Sequence, residues 1–205
     1  NLNTTLDVGG GTLDIGSAGL FGTGGLTSFS GTIKNGTLVS VGGNVLNSSS
    51  GTLDTITIGS NLTTNSGTLF FSNGVTLANG VTMNNGGGGW YFKGTYFGAS
   101  ANPVIQTPGA ATIQMVGGVL DTYDYPPGNQ TVTIGSGITV KGYGTIGDGF
   151  YGQTWINNGV IDANTLGQTL IINSNAFINN STLKATAGNL SIGGVTVTNA
   201  SSGTI

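Results

Sequence analysis

The sequence predicts an all-β fold, a parallel β-helix (β-solenoid) of roughly nine coils with a central loop-rich insertion. Three observations carry this. Forty of the 205 residues are Gly, far above the usual share of about 7%, which suits a chain that turns every few residues. Charged residues are 5% of the chain, where ordinary soluble domains carry about 25%. Short apolar motifs recur about every 20 to 22 residues, the length of one solenoid coil.

The composition excludes other classes. Glu, Arg, His and Cys are absent, so the strong helix formers are thin and no disulfide framework can form. Hydrophobic residues make up 37% of the chain, more than a disordered segment carries. No apolar run is long enough for a transmembrane helix. A transmembrane barrel would show lipid-facing bands joined by charged loops, and a β-sandwich has no need of so constant a repeat. A net charge of -3 with only four Lys argues against a nucleic-acid surface.

The repeat is read directly from the chain. Gly11-Thr12-Leu13, Gly31-Thr32-Ile33, Gly51-Thr52-Leu53 and Gly67-Thr68-Leu69 are successive copies of one triplet. Further on, Ile156–Ala163 aligns with Ile178–Ala185, and Ile161, Leu183 and Ile205 keep the same step. Strand interiors alternate, as in Thr55-Ile56-Thr57-Ile58, Thr131-Val132-Thr133-Ile134 and Val195-Thr196-Val197-Thr198, so β-branched residues face inward at every second position. Asn-Gly and Gly-Gly steps between these runs, such as Asn35-Gly36, Asn73-Gly74 and Asn158-Gly159, supply turns that need positive φ. Stacked identical charges would repel, whereas stacked Asn can bond in ladders, so a solenoid wall favours this composition.

The chain reads as one solenoid in three stretches. Residues 1–85 carry the Gly-Thr-Leu coils and 131–205 the Asn-Asn-Gly coils. Residues 86–130 break step, with Gly86 to Gly89, an aromatic cluster and all four prolines, at 103, 108, 126 and 127. Proline is excluded from central ladder positions, so long loops or irregular coils are expected there. Ile205 falls in mid-coil, which predicts an open rung, continued by more protein or by end-to-end stacking of subunits.

The run from Gly142 through Gly-Tyr-Gly-Thr-Ile-Gly, Ile156-Asn-Asn-Gly-Val-Ile-Asp-Ala-Asn164, Gly167-Gln-Thr-Leu-Ile-Ile172 and Ile178–Ile192 resembles the repeats of bacterial autotransporter passengers and filamentous-haemagglutinin-like adhesins. The resemblance covers 131–205 well and 1–85 more loosely, and its motifs are degenerate. It implies a right-handed parallel β-helix in an extracellular or bacterial cell-surface setting, often within a much longer chain.

Catalytic constellations are sparse. Nucleophilic triads lack their His, and the Arg and His motifs of polysaccharide-degrading β-helices are missing. Asp121 and Asp124 are the nearest carboxylate pair, a spacing usable in glycoside chemistry only if the fold sets them suitably apart; the expectation is two solvated turn aspartates. Gly147-Asp148-Gly149 reads as a turn rather than a calcium repeat. No catalytic residue, cofactor or metal is assigned. Irregular Thr-x-Thr runs do not make the regular array that an ice-binding face needs.

The candidate contact site is aromatic. Trp90, Tyr91, Phe92, Tyr96 and Phe97 fall within eight residues and offer rings for a surface glycan or a protein partner; the competing reading packs them into the solenoid. Tyr123, Tyr125, Phe150, Tyr151 and Trp155 lie near the same centre. The expected function is a non-enzymatic extracellular or cell-surface rod, an adhesin or structural spacer. The alternatives are a self-associating fibre subunit and a carbohydrate-binding or polysaccharide-active β-helix.

Overall fold

The structure, a computed structural model, describes residues 1–16, 19–124, 130–147, 153–193 and 196–205. The chain winds as a β-solenoid of about eight turns. Every strand-to-strand pairing between its named strands is parallel, and all belong to one continuous sheet that wraps the core. A regular turn contributes three short strands. Thr154–Asn157, Val160–Ala163 and Thr169–Ile172 make one turn, and Ala176–Asn179, Thr182–Ala185 and Asn189–Ile192 lie directly over them.

The core is a set of columns. Leu6, Ile33, Leu53, Phe71 and Phe92 stack coil upon coil. Beside them run Leu69, Trp90, Leu120, Ile146, Ile172 and Ile192. A second face stacks Val75, Ile105 and Ile134, and a third stacks Leu62, Met83, Ile113, Val140, Ile161 and Leu183. Most of these side chains are fully buried. Alternation along each strand therefore does what the sequence implies: one face goes to the core, the other to solvent.

The C-terminal repeat stacks in the expected register. Ile156 pairs with Ile178 and Ile161 with Leu183, and a bridge from Thr182 to Thr204 extends the step toward Ile205. The Gly-Thr-Leu repeat needs two corrections. Ile33 and Leu53 do stack, but Leu13 pairs with Leu38 in a different column, and it is Leu6 that lies under Ile33. Leu69 pairs with Gly51, two positions short of Leu53. The triplet marks a turn leading into a strand, and a three-sided coil has more than one such corner.

Longer coils reduce the turn count from the nine expected. Val75 pairs with Ile105, and Trp90 with Leu120, at a spacing of 30. The extra residues lie largely in the segment 94–103, which holds a single 3-10 turn, Thr95–Phe97. Residues 86–130 nonetheless include the longest strand, Ala111–Tyr123, laid across both Thr82–Asn85 and Gly89–Lys93. Pro103 precedes strand Val104–Gln106 and Pro108 lies in the turn after it, while Pro126 and Pro127 lie outside the described residues. Among the described residues no helix is long and apolar enough to cross a membrane.

Two devices hold coils together from the polar side. In the second face, Ile134 gives way to Asn157, Asn179 and Asn199. Asn157 Nδ2 donates to Asn179 Oδ1, and Asn179 Nδ2 to Asn199 Oδ1, each at 2.8 Å. The same amides serve the corner backbone: Gly159 N–H donates to Asn157 Oδ1 at 3.1 Å, and Asn157 Nδ2 to the Thr182 carbonyl at 3.0 Å. On the outside, charges alternate in sign. Asp7, Lys34 and Asp54 are ladder neighbours, as are Lys141, Asp162 and Lys184.

A candidate contact site on the aromatic face

The strand Gly89–Lys93 divides the predicted aromatic cluster. Trp90 and Phe92 point inward and are 1% exposed. Phe92 stacks on Phe71 with ring centroids 5.2 Å apart and meets the Trp155 ring edge-on at 6.1 Å. Trp90 Nε1 donates to the Thr64 hydroxyl at 3.0 Å, which satisfies its one polar atom. These two rings are core, and burial removes them from any surface contact. Trp155 is likewise buried. Tyr125, Phe150 and Tyr151 lie outside the described residues.

Tyr91, Tyr96 and Phe97 take the outward side. Tyr91 is half-buried, while Tyr96 is 63% and Phe97 39% exposed. They gather with two residues that the linear cluster did not contain. Phe70 lies next to Tyr91 in the ladder, with ring centroids 5.9 Å apart. Tyr123, 38% exposed, stacks on Phe97 at 4.8 Å with an interplanar angle of 22° and lies 5.1 Å from Phe70. Below Phe70 the same outward column reads Thr52, Thr32 and Thr5. Aromatic rings replace threonine there where no core demands it.

Lys93 sits among these rings. Its ammonium lies 4.8 Å from the Phe70 ring centroid and 5.9 Å from that of Phe97, and it donates to Thr52 Oγ1 at 2.9 Å. Burial against the rings holds its pKa below the ordinary lysine value, and Asp54 opposes that shift only in part. Asp54 is otherwise engaged, accepting from Asn73 Nδ2 at 2.8 Å and from the Thr55 hydroxyl at 3.0 Å.

The segment 94–98 is shaped to present Tyr96 and Phe97. Gly94 N–H donates to the Tyr123 carbonyl at 3.0 Å, fixing the exit from the strand. Gly98 ends the turn at φ 73°, a left-handed conformation that favours Gly. Tyr96 N–H donates to Asp124 Oδ1 at 3.0 Å. Asp124 is thus 7% exposed and Asp121, in strand Ala111–Tyr123, only 1%. Neither is the solvated turn aspartate expected from the sequence: one holds the turn and the other is enclosed beside Tyr91 in the ladder.

Elsewhere the wall is threonine-rich. Thr12, Thr37, Thr57 and Thr76 form one outward column that ends at Gln106. Thr133 and Thr198 are separated by Ile156 and Ile178, so the Thr-x-Thr pairs do not repeat coil to coil. A shallow cleft of about 130 Å³ opens beside Thr57, Thr76 and Gln106 where the neighbouring strands bulge.

No protein-family model, curated protein or solved structure matches this chain.

Proposed function

We propose that this chain is a non-enzymatic rod segment of a secreted or cell-surface protein, an adhesin or structural spacer of the kind its C-terminal repeats resemble. The observation that carries the reading is the unbroken parallel ladder from Thr5 to Asn199 with outward charges balanced between coils. Such a wall resists bending because each coil is fixed to the next by backbone pairing, reinforced by amide contacts at Asn157–Asn199 and by charge contacts in two columns. The aromatic face then supplies the lateral contact that an adhesin needs.

Electron microscopy and small-angle scattering of the purified chain test this. Stiff particles on the order of 40 Å long, from about eight coils at the inter-strand spacing, agree with the reading, and a compact or collapsed particle contradicts it. A glycan panel assayed for new reducing ends or unsaturated products tests the non-enzymatic part; product release assigns the chain to the polysaccharide-active class instead.

End-to-end assembly is a second reading, favoured by one observation. Val197 and Ile205 continue the columns of Phe177 and Leu183, yet stand 38% and 65% exposed. A further coil or a second copy laid there would cover them. Sedimentation that stays monomeric across a wide concentration range would argue against the second copy.

A further inference from the structure

We propose that the aromatic face around Lys93 is a binding site for an acidic polysaccharide, one whose pyranose units carry carboxylates. The inference deepens the adhesin reading by naming a ligand class, and it rests on that reading for the rod's setting.

The four lysines differ in their neighbours. Lys34 lies between Asp7 and Asp54, and Lys141 and Lys184 flank Asp162. Two of these contacts are ion pairs, Lys34–Asp7 at 3.4 Å and Lys184–Asp162 at 3.6 Å. Lys93 breaks the pattern. Its ladder partner on one side is Tyr123, and continuing the Phe71–Phe92 pairing by one step sets Ser72 on the other. Its described contacts are a neutral hydroxyl and two ring faces. Asp54 acts on it through charge without bonding it, its carboxylate being taken by Asn73 and Thr55. Lys93 is therefore a cation held by aromatic walls with two of its three donors left over.

A carboxylate supplies the missing partner, and a charge-assisted hydrogen bond is at its strongest where water is partly excluded. The rings decide between a sugar and a peptide as its carrier. Phe70 and Tyr91 occupy successive coils with centroids 5.9 Å apart, a step comparable to one pyranose unit. Phe97 and Tyr123, stacked on each other and partly exposed, add an aromatic wall beside them. Sugar C–H faces pack on such rings while their hydroxyls meet the polar rim. A simple basic patch would not serve here. The chain's net charge is -3, so a polyanion is repelled at long range and must be held by a local site.

The test is affinity electrophoresis and calorimetry of the full chain with polygalacturonate, using dextran and poly-glutamate as comparison polymers. The expected result is binding to polygalacturonate that exceeds binding to either comparison polymer. Lys93→Met weakens it by about tenfold or more, the loss of a charged hydrogen bond, and Lys184→Met leaves it unchanged. Phe97→Ser, on the exposed turn, provides an independent arm should Lys93→Met fold poorly, and it too weakens binding. Equal loss in both lysine variants, equal retention by dextran, equal retention by poly-glutamate, or no binding at all overturns the proposal. Particles that remain rods by microscopy yet bind none of the polymers overturn the site and leave the rod reading standing.

Discussion

The carboxamide of Asn157 donates to that of Asn179 at 2.8 Å, and both side chains are fully buried. Polar groups so enclosed are tolerated because each is bonded to the next coil and to the turn backbone. Asn179 alone donates to Asn199 Oδ1 and to the carbonyls of Ser181 and Thr204.

Removing that amide takes one acceptor from the buried Asn157 carboxamide and leaves three partly buried acceptors without this donor. Asn179→Ala is expected to destabilise the chain by about 1–3 kcal/mol in urea unfolding. Asn158→Ala, which deletes the exposed bond from Asn180 Nδ2 at 2.9 Å, should stay within about 0.5 kcal/mol. Equal effects from the two variants would show that the inner ladder has no special weight.

The two halves of the aromatic region should separate in stability. Phe71 is fully buried between Phe92 and Trp90, so Phe71→Ala is expected to cost about 3–5 kcal/mol. Tyr96→Ala removes a ring that is largely solvent-exposed, and its melting temperature should scarcely change. A large loss from Tyr96→Ala would show that the ring is a packing element.

Thr55 is a stabilisation target. It stands at φ 54°, in line with Asn35 at 59° and Asn73 at 63°. A β-branched residue is disfavoured in that region by about 1–2 kcal/mol, whereas Asn visits it readily. Thr55→Asn should therefore raise stability by about 1 kcal/mol, read as a higher urea midpoint with an unchanged slope. A lower midpoint would show that the Thr55 hydroxyl bond to Asp54 outweighs the backbone strain.

Lys93 makes a pH prediction. Its folded-state pKa is lowered from 10.5, chiefly by desolvation. The unfolded chain then holds more protons between the two values, so this lysine's contribution to stability rises as pH climbs through the folded pKa toward 10.5. The difference in unfolding free energy between the parent and Lys93→Met should shift in the parent's favour as pH rises through the lowered folded-state pKa toward the ordinary lysine value. At neutral pH the Met variant should be no less stable, since a partly desolvated charge is exchanged for an apolar chain of similar length. A pH-independent difference would contradict the desolvation account.

Much of the fold is legible in the chain because a solenoid repeats its constraints. The 22-residue step that joins Asn157 to Asn179 is visible as Ile-Asn-Asn twice over, and alternation in Thr131–Ile134 gives the right inward residues. The Gly-Thr-Leu copies were less informative, because one local signal serves several corners and only the ladder says which. The site was half legible. Composition locates Tyr91, Tyr96 and Phe97, yet Trp90 and Phe92 alternate with Tyr91 and Lys93 along one strand and face the core. Phe70 belongs to the preceding coil, and the 21 residues from Phe70 to Tyr91 were the available signal. The partly desolvated Lys93 depends on rings from two other segments, Phe70 and Phe97, and no local pattern announces it.

The alternating columns Asp7–Lys34–Asp54 and Lys141–Asp162–Lys184 also bear on how the chain finds its form. A nascent chain that skipped one layer while winding would bring Asp7 onto Asp54, or Lys141 onto Lys184, and electrostatic repulsion would disfavour the error before it could spread. Few as its ions are, their order makes the native succession of layers electrostatically distinct from one shifted by a coil.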